Sequence, residues 1–197
     1  CLDGDDLFRW MKKHGAMSAD KLIPLFCGAL DALEGAHAKG IVHKDLKPAN
    51  LFVSRRVDED ALVVMDFGIA QQTQTVFKET RLIGSLNYMA PEYITQQLVM
   101  PCGDVYQMGL TLVEALTAKR VLEKSDLNYC INAHITGAIE LPEALMASPL
   151  GPVIAKAVSR DHTTRYQSAG EFYEALNLLT EADLAEVQRS LDGSPSG

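Results

Sequence analysis

With 197 residues, 47% of them apolar, the chain is long enough to bury the core of one globular domain. A formal net charge of −8 argues against a nucleic-acid partner, because such surfaces need clustered Lys and Arg to displace counterions. The four cysteines, Cys1, Cys27, Cys102 and Cys130, are widely spaced without a C-x-x-C, which speaks against a zinc site or disulfide framework and for a reducing, cytoplasmic setting.

In chain order, residues 6–13 read as a short helix stopped near Gly15, and Ser18 is a fair N-cap for a longer helix running to Gly40. Leu22, Phe26, Leu30, Leu33 and His37 recur at helical spacing and predict a core stripe. Three short β-type runs follow, Ile41-Val42, Leu51-Phe52-Val53 and Leu62-Val63-Val64-Met65, with the charged stretch 54–60 as a hairpin turn between the last two. Beyond Met65 the pattern is mainly helical. Val105, Met108, Leu112 and Leu116 give one face of a helix over 103–117, and further helices are predicted over 152–159, 166–179 and 181–191. Residues 192–197 form a polar Gly/Ser/Pro tail. No apolar run approaches the roughly 18 residues of a membrane helix, so no membrane insertion of this segment is expected. The basic pairs Lys12-Lys13 and Arg55-Arg56 are expected on solvated surface.

The informative stretch is His43-Lys44-Asp45-Leu46-Lys47-Pro48-Ala49-Asn50, followed closely by Asp66-Phe67-Gly68. Asp45 suits a general base for a hydroxyl, Lys47 neutralises phosphate charge, and the side-chain oxygens of Asn50 and Asp66 suit a hard cation such as magnesium. These groups in this order point to phosphoryl transfer from a nucleotide. Their neighbours are short β-type runs, which places them on loops at strand ends.

Together with Ala90-Pro91-Glu92, these blocks make residues 3–179 resemble the C-terminal lobe of a eukaryotic-type (Hanks-type) serine/threonine protein kinase, of the kind that bacteria also carry. The resemblance implies a mainly α (α+β) fold, with short β-hairpins carrying the catalytic loop, over residues 1–180. An extra helix and polar tail then occupy 181–197. It also implies ATP with Mg2+ or Mn2+ as cofactors and a protein substrate with a Ser/Thr acceptor. Within it Asp45 is the base, Asn50 and Asp66 are the metal ligands, and Phe52 is part of the adenine floor. His43 packs beneath the metal-binding loop beside Phe67 and Gly68. Ser85 stands where such kinases carry a threonine that bonds the catalytic aspartate, Glu92 and Arg165 form a structural pair, and Asp104 orients the catalytic loop.

Two departures stand out. Lys44 replaces the usual arginine, and a lysine cannot grip a phosphate with two parallel hydrogen bonds, which weakens the case for control through Thr73, Thr75 or Thr80, the candidate phosphosites. No G-x-G-x-x-G and no strand lysine occur upstream, so the kinase N-lobe is expected as a missing partner, the segment is expected to be inactive alone, and an apolar face near Phe52 and residues 62–65 is expected to promote self-association. The competing reading is a pseudokinase-like interaction scaffold. Retention of Asp45, Asn50 and Asp66 argues against it.

Overall fold

A computed structural model describes residues 3–55, 60–67, 85–122 and 126–193. Helix α1 (Leu7–His14) begins where the Asp6 carboxylate accepts from Arg9 N at 2.8 Å, and it ends at Gly15, whose φ of 80° leaves the right-handed region. Helix α2 (Ala19–His37) buries Leu22, Phe26, Leu30 and Leu33 completely, as their spacing predicts. Ser18 precedes it without a side-chain cap bond. The orphan Ala19 N–H is satisfied from far away, donating to Gln188 Oε1 at 3.1 Å.

Two of the three expected β runs pair. Strands β2 (Leu51–Ser54) and β3 (Ala61–Val64) form an antiparallel hairpin with Leu51 opposite Val64. Ile41-Val42 is not a strand: Ile41 N donates to Ala36 O at 3.0 Å, which closes the end of α2, and the Ile41 side chain is exposed. The third strand is instead β1 (Gly4–Asp6), which pairs antiparallel with the other edge of β2. Gly4 is needed there, since its φ is 149° and a Cβ would lie 2.0 Å from Val53 O. The sheet turns Leu51, Val53, Leu62 and Val64 into the core and leaves Phe52 and Val63, which face each other across the hairpin, half-buried on the opposite side. Among the described residues the exposed large apolar side chains are Ile41, Leu98, Val99, Leu127, Tyr129 and Leu178.

Helix α3 (Pro91–Gln96) and helix α4 (Pro101–Thr117) both start with proline in the first turn, where its missing N–H is not needed. Helix α4 is buried without interruption from Asp104 to Leu116, the signature of an interior helix. Gly109 lets the chain beyond α4 approach closely, because a Cβ there would meet Val158 Cγ1 at 2.7 Å.

Helices α5 (Leu127–Thr136) and α6 (Glu143–Met146) were not anticipated from the periodicity. Helices α7 (Gly151–Ala157), α8 (Ala169–Asn177) and α9 (Glu181–Asp192) match the predicted ones within a few residues. Thr180 and Asp183 form a capping box at the start of α9, and Val187 fixes that helix against the core. Helices α4, α8 and α9 all pack on α2, with β3 on the same central helix. The result is a mainly helical α+β domain with one small sheet. No helix among the described residues is long and apolar enough to cross a membrane.

Candidate active site

The loop between α2 and β2 is shaped by one buried carboxylate. Asp104, in the first turn of α4, accepts from His43 N and Lys44 N, each at 2.8 Å, and its Oδ2 also contacts His37 Nε2 at 2.8 Å. Being an anion at a helix N-terminus, it is favoured there by the helix dipole as well. Two successive amide donors on one carboxylate hold Lys44 at φ 73°, a conformation that a non-glycine residue adopts only when its surroundings impose it. Gln107, one turn further along α4, repeats the device: its Oε1 accepts from Leu46 N at 2.9 Å and its Nε2 donates to Lys44 O at 3.0 Å. The His43 ring lies beneath, with Nε2 donating to Met65 O at 2.7 Å, Nδ1 accepting from Asp45 N at 3.3 Å, and an edge-on contact to Phe67 at 5.1 Å between centroids.

On that base the polar groups converge. Lys47 Nζ donates to both carboxylate oxygens of Asp45, at 2.9 and 2.7 Å, and to Ser85 Oγ at 2.9 Å. Asn50 Nδ2 donates to Asp45 O at 2.6 Å and to Asp45 Oδ2 at 3.1 Å. Ser85 therefore reaches Asp45 through the Lys47 ammonium. Pro48–Asn50 is a 3₁₀ turn leading directly into β2, and Met65 N donates to Asn50 O at 2.9 Å, which brings the start of the Asp66-Phe67 segment alongside Asn50. Asp66 is exposed with φ 58°, and no described residue donates to its carboxylate or to Asn50 Oδ1. These oxygens, one on the turn that enters β2 and one just past the end of β3, are of the type that suits a hard cation. Among the described residues no group of three or more His, Cys, Asp or Glu gathers as a metal site.

A second charged cluster lies behind the site. Arg165 makes a two-pronged bridge to Glu92, Nη1 to Oε1 and Nη2 to Oε2, both at 2.8 Å, and its other donors reach the carbonyls of Ser159, Cys102 and Arg160. All five guanidinium N–H groups are used, and the group lies over the Tyr106 ring at 4.6 Å. This bridge ties Ala90-Pro91-Glu92 to the loop before α8.

Of the residues singled out in the sequence, His43, Lys44, Asp45, Lys47, Asn50, Asp66, Phe67, Ser85 and Asp104 come together, Phe52 stands one strand position from Asn50's turn, and Glu92 and Arg165 form the separate base. Gly68, Thr73, Thr75 and Thr80 lie outside the described residues. His37 and Gln107 were missed. His37 reads in sequence as one more member of an apolar stripe, and its contact with Asp104 joins residues 67 positions apart.

The family profile for the protein kinase domain matches residues 1–175, and the chain belongs to that family. Its relatives include the serine/threonine-protein kinase PknH of Mycobacterium bovis, 29% identical over 95% of this chain and 33% of the relative, and PknD of Mycobacterium tuberculosis, 30% identical over 98% of this chain and 30% of the relative. PknB of Mycobacterium tuberculosis is 30% identical over 100% of this chain and 34% of the relative. The chain thus spans about a third of the length of the curated relatives it matches. A crystal structure of Rad53 1-466 in complex with AMP-PNP superposes with a TM-score of 0.69 over 90% of this chain and 44% of that one, at 23% identity, which shows the shared fold.

Proposed function

We propose that this chain provides the catalytic lobe of a serine/threonine protein kinase that transfers the terminal phosphoryl group of ATP to Ser or Thr hydroxyls of proteins. The observation that carries the proposal is the Asp45 carboxylate, held by Lys47 and Asn50 while remaining 40% exposed, with Asp66 following the strand whose end bonds the Asn50 backbone. Asp45 orients the acceptor hydroxyl and takes its proton. Lys47 keeps its ammonium charge and offsets the negative charge of the transferring phosphoryl group, and Ser85 keeps that ammonium beside Asp45. Asn50 and Asp66 hold Mg2+ or Mn2+, and Phe52 offers an apolar surface to the adenine. The bound cation supplies charge neutralisation at the phosphate oxygens.

In this reading residues 1–180 form the kinase lobe and 181–197 an appended helix and tail, and the setting is the cytoplasm, where ATP is available. The relatives are serine/threonine-protein kinases by name, which supports the acceptor class. Transfer of labelled phosphate from ATP to a general protein acceptor, using the protein expressed from its complete reading frame, tests it. Asp45→Asn is expected to slow transfer by about 10²- to 10⁴-fold with little change in melting temperature. An undiminished rate in that variant would remove Asp45 from its role and the proposal with it.

A further inference from the structure

We propose that Gln107 is a positioning residue for phosphoryl transfer: its side-chain amide clamps the two peptide groups that flank Asp45 and so sets where the base stands relative to the acceptor hydroxyl. The inference rests on the kinase reading above. Lys44 C=O belongs to the peptide group before Asp45, and Leu46 N–H to the one after it. Gln107 Nε2 donates to the first at 3.0 Å and Gln107 Oε1 accepts from the second at 2.9 Å. A peptide group is planar, so the orientations of these two planes define the φ and ψ of Asp45, and one amide holds both.

The remaining polar groups of the two planes are bonded from within the loop. Asp45 N donates to His43 Nδ1 at 3.3 Å, and Asp45 O accepts from Asn50 Nδ2 at 2.6 Å. Those bonds fix the internal shape of the loop. They do not fix its place on the helical base. Asp104 anchors the loop from α4 as well, but its bonds to His43 N and Lys44 N stop one peptide group short of Asp45. Among the described residues Gln107 is the only group outside the loop that bonds either plane beside the base.

Any interior glutamine must bond its polar atoms, and Gln107 is 4% exposed. A purely structural glutamine could spend its amide on any neighbour. This one spends both ends on the two sides of a single residue, the base. The pairing also needs an amide, since a carboxylate has no donor and an apolar side chain has neither group. Helix α4 is a suitable fixed reference because it is buried without interruption from Asp104 to Leu116. Phosphoryl transfer depends mainly on positioning, and a misplacement of about 1 Å costs on the order of 100-fold in rate.

The test is single-turnover transfer from ATP to a serine peptide, with nucleotide affinity measured alongside, using the protein from its complete reading frame and its Gln107→Leu and Gln107→Glu variants. Gln107→Leu should slow the transfer step about ten- to hundred-fold while nucleotide affinity stays within about two-fold. Gln107→Glu keeps the shape and makes the donor titratable. Ionised, the new carboxylate accepts from Leu46 N but repels Lys44 O; protonated, it again offers one donor and one acceptor. The titratable groups that share its cavity are Lys44, Glu92, Tyr93 and Asp104, with His37 bonded to Asp104. Burial and the two carboxylates favour the protonated form, and Lys44 opposes them. The ratio of this variant's transfer rate to the parent's should therefore rise as pH falls, while the ratio for Gln107→Leu stays flat. Taking the ratio cancels the titration of Asp45, and a variant that was merely destabilised would not regain activity on acidification, so this readout also serves if Gln107→Leu folds poorly. A parent-like transfer rate in Gln107→Leu, or a ratio for Gln107→Glu that stays flat or falls with pH, would overturn this inference and leave the kinase reading standing. No transfer by the parent to the peptide or to a general protein acceptor would remove the kinase reading, and this inference with it.

Discussion

The ion pairs Arg165–Glu92 and Lys47–Asp45 have nearly the same shortest contact, 2.8 and 2.7 Å, and opposite surroundings: the first pair is 0% and 2% exposed, the second 20% and 40%. In the buried pair every donor of the cation is spent on the protein itself. In the exposed pair a flexible ammonium faces a carboxylate that water also reaches, so a substrate can replace either contact. A buried, fully bonded bridge suits a permanent joint, because breaking one half leaves an uncompensated charge in a low dielectric. An exposed lysine pair contributes little to stability and is free to serve chemistry.

That contrast can be broken most forcefully at the joint. Arg165→Ala should cost about 3–5 kcal/mol of folding stability, whereas Lys47→Ala should stay within about 1 kcal/mol in the same denaturation series while phosphate transfer falls. Similar losses at both positions would mean that burial does not separate the two roles.

A smaller effect tests the elements that join the two regions. His134 of α5 is fully buried, accepts from Tyr106 Oη at 2.7 Å through Nδ1, and has no partner in hydrogen-bonding geometry at Nε2. Burial pushes its pKa down to about 4, against a partial opposing effect of the Leu86 and Asn87 backbone. The folded state then binds fewer protons than the unfolded state between pH about 6.5 and 4, so its contribution is complete above that window and is lost as pH falls through it. The loss should be on the order of 2–3 kcal/mol across the window. In His134→Gln this part of the parent's acid sensitivity should disappear, so that the variant's urea midpoints fall less steeply with pH over that range. Parallel pH profiles for the two proteins would exclude His134 as the source.

The catalytic loop was legible in the sequence because its chemistry is local: Asp45, Lys47 and Asn50 lie within one short loop and turn. Helices α2 and α4 were legible because their apolar positions repeat at helical spacing. What supports the loop was not. The Asp104 carboxylate could be matched by position, but His37 and Gln107 are polar residues whose partners lie 61 to 67 positions away, and no spacing rule reports such contacts. Strand β1 was hidden for another reason. Gly4, Asp5 and Asp6 have poor strand propensity and are extended only because β2 offers an edge. Ile41-Val42 erred the other way: two β-branched residues suggested a strand, while the backbone bond from Ile41 to Ala36 made them the close of a helix.

In the proposed function, Asn50 and Asp66 form one cation site beside Asp45. Titrating the isotope-labelled protein with Mn2+ and ATP, and reading paramagnetic broadening by NMR, tests it directly. Signals of Asn50, Leu51, Met65 and Asp66 should broaden first, those of Val187 on the remote helix α9 should persist, and Asp66→Asn should suppress the effect. Broadening centred anywhere else, or unchanged in that variant, would contradict the account.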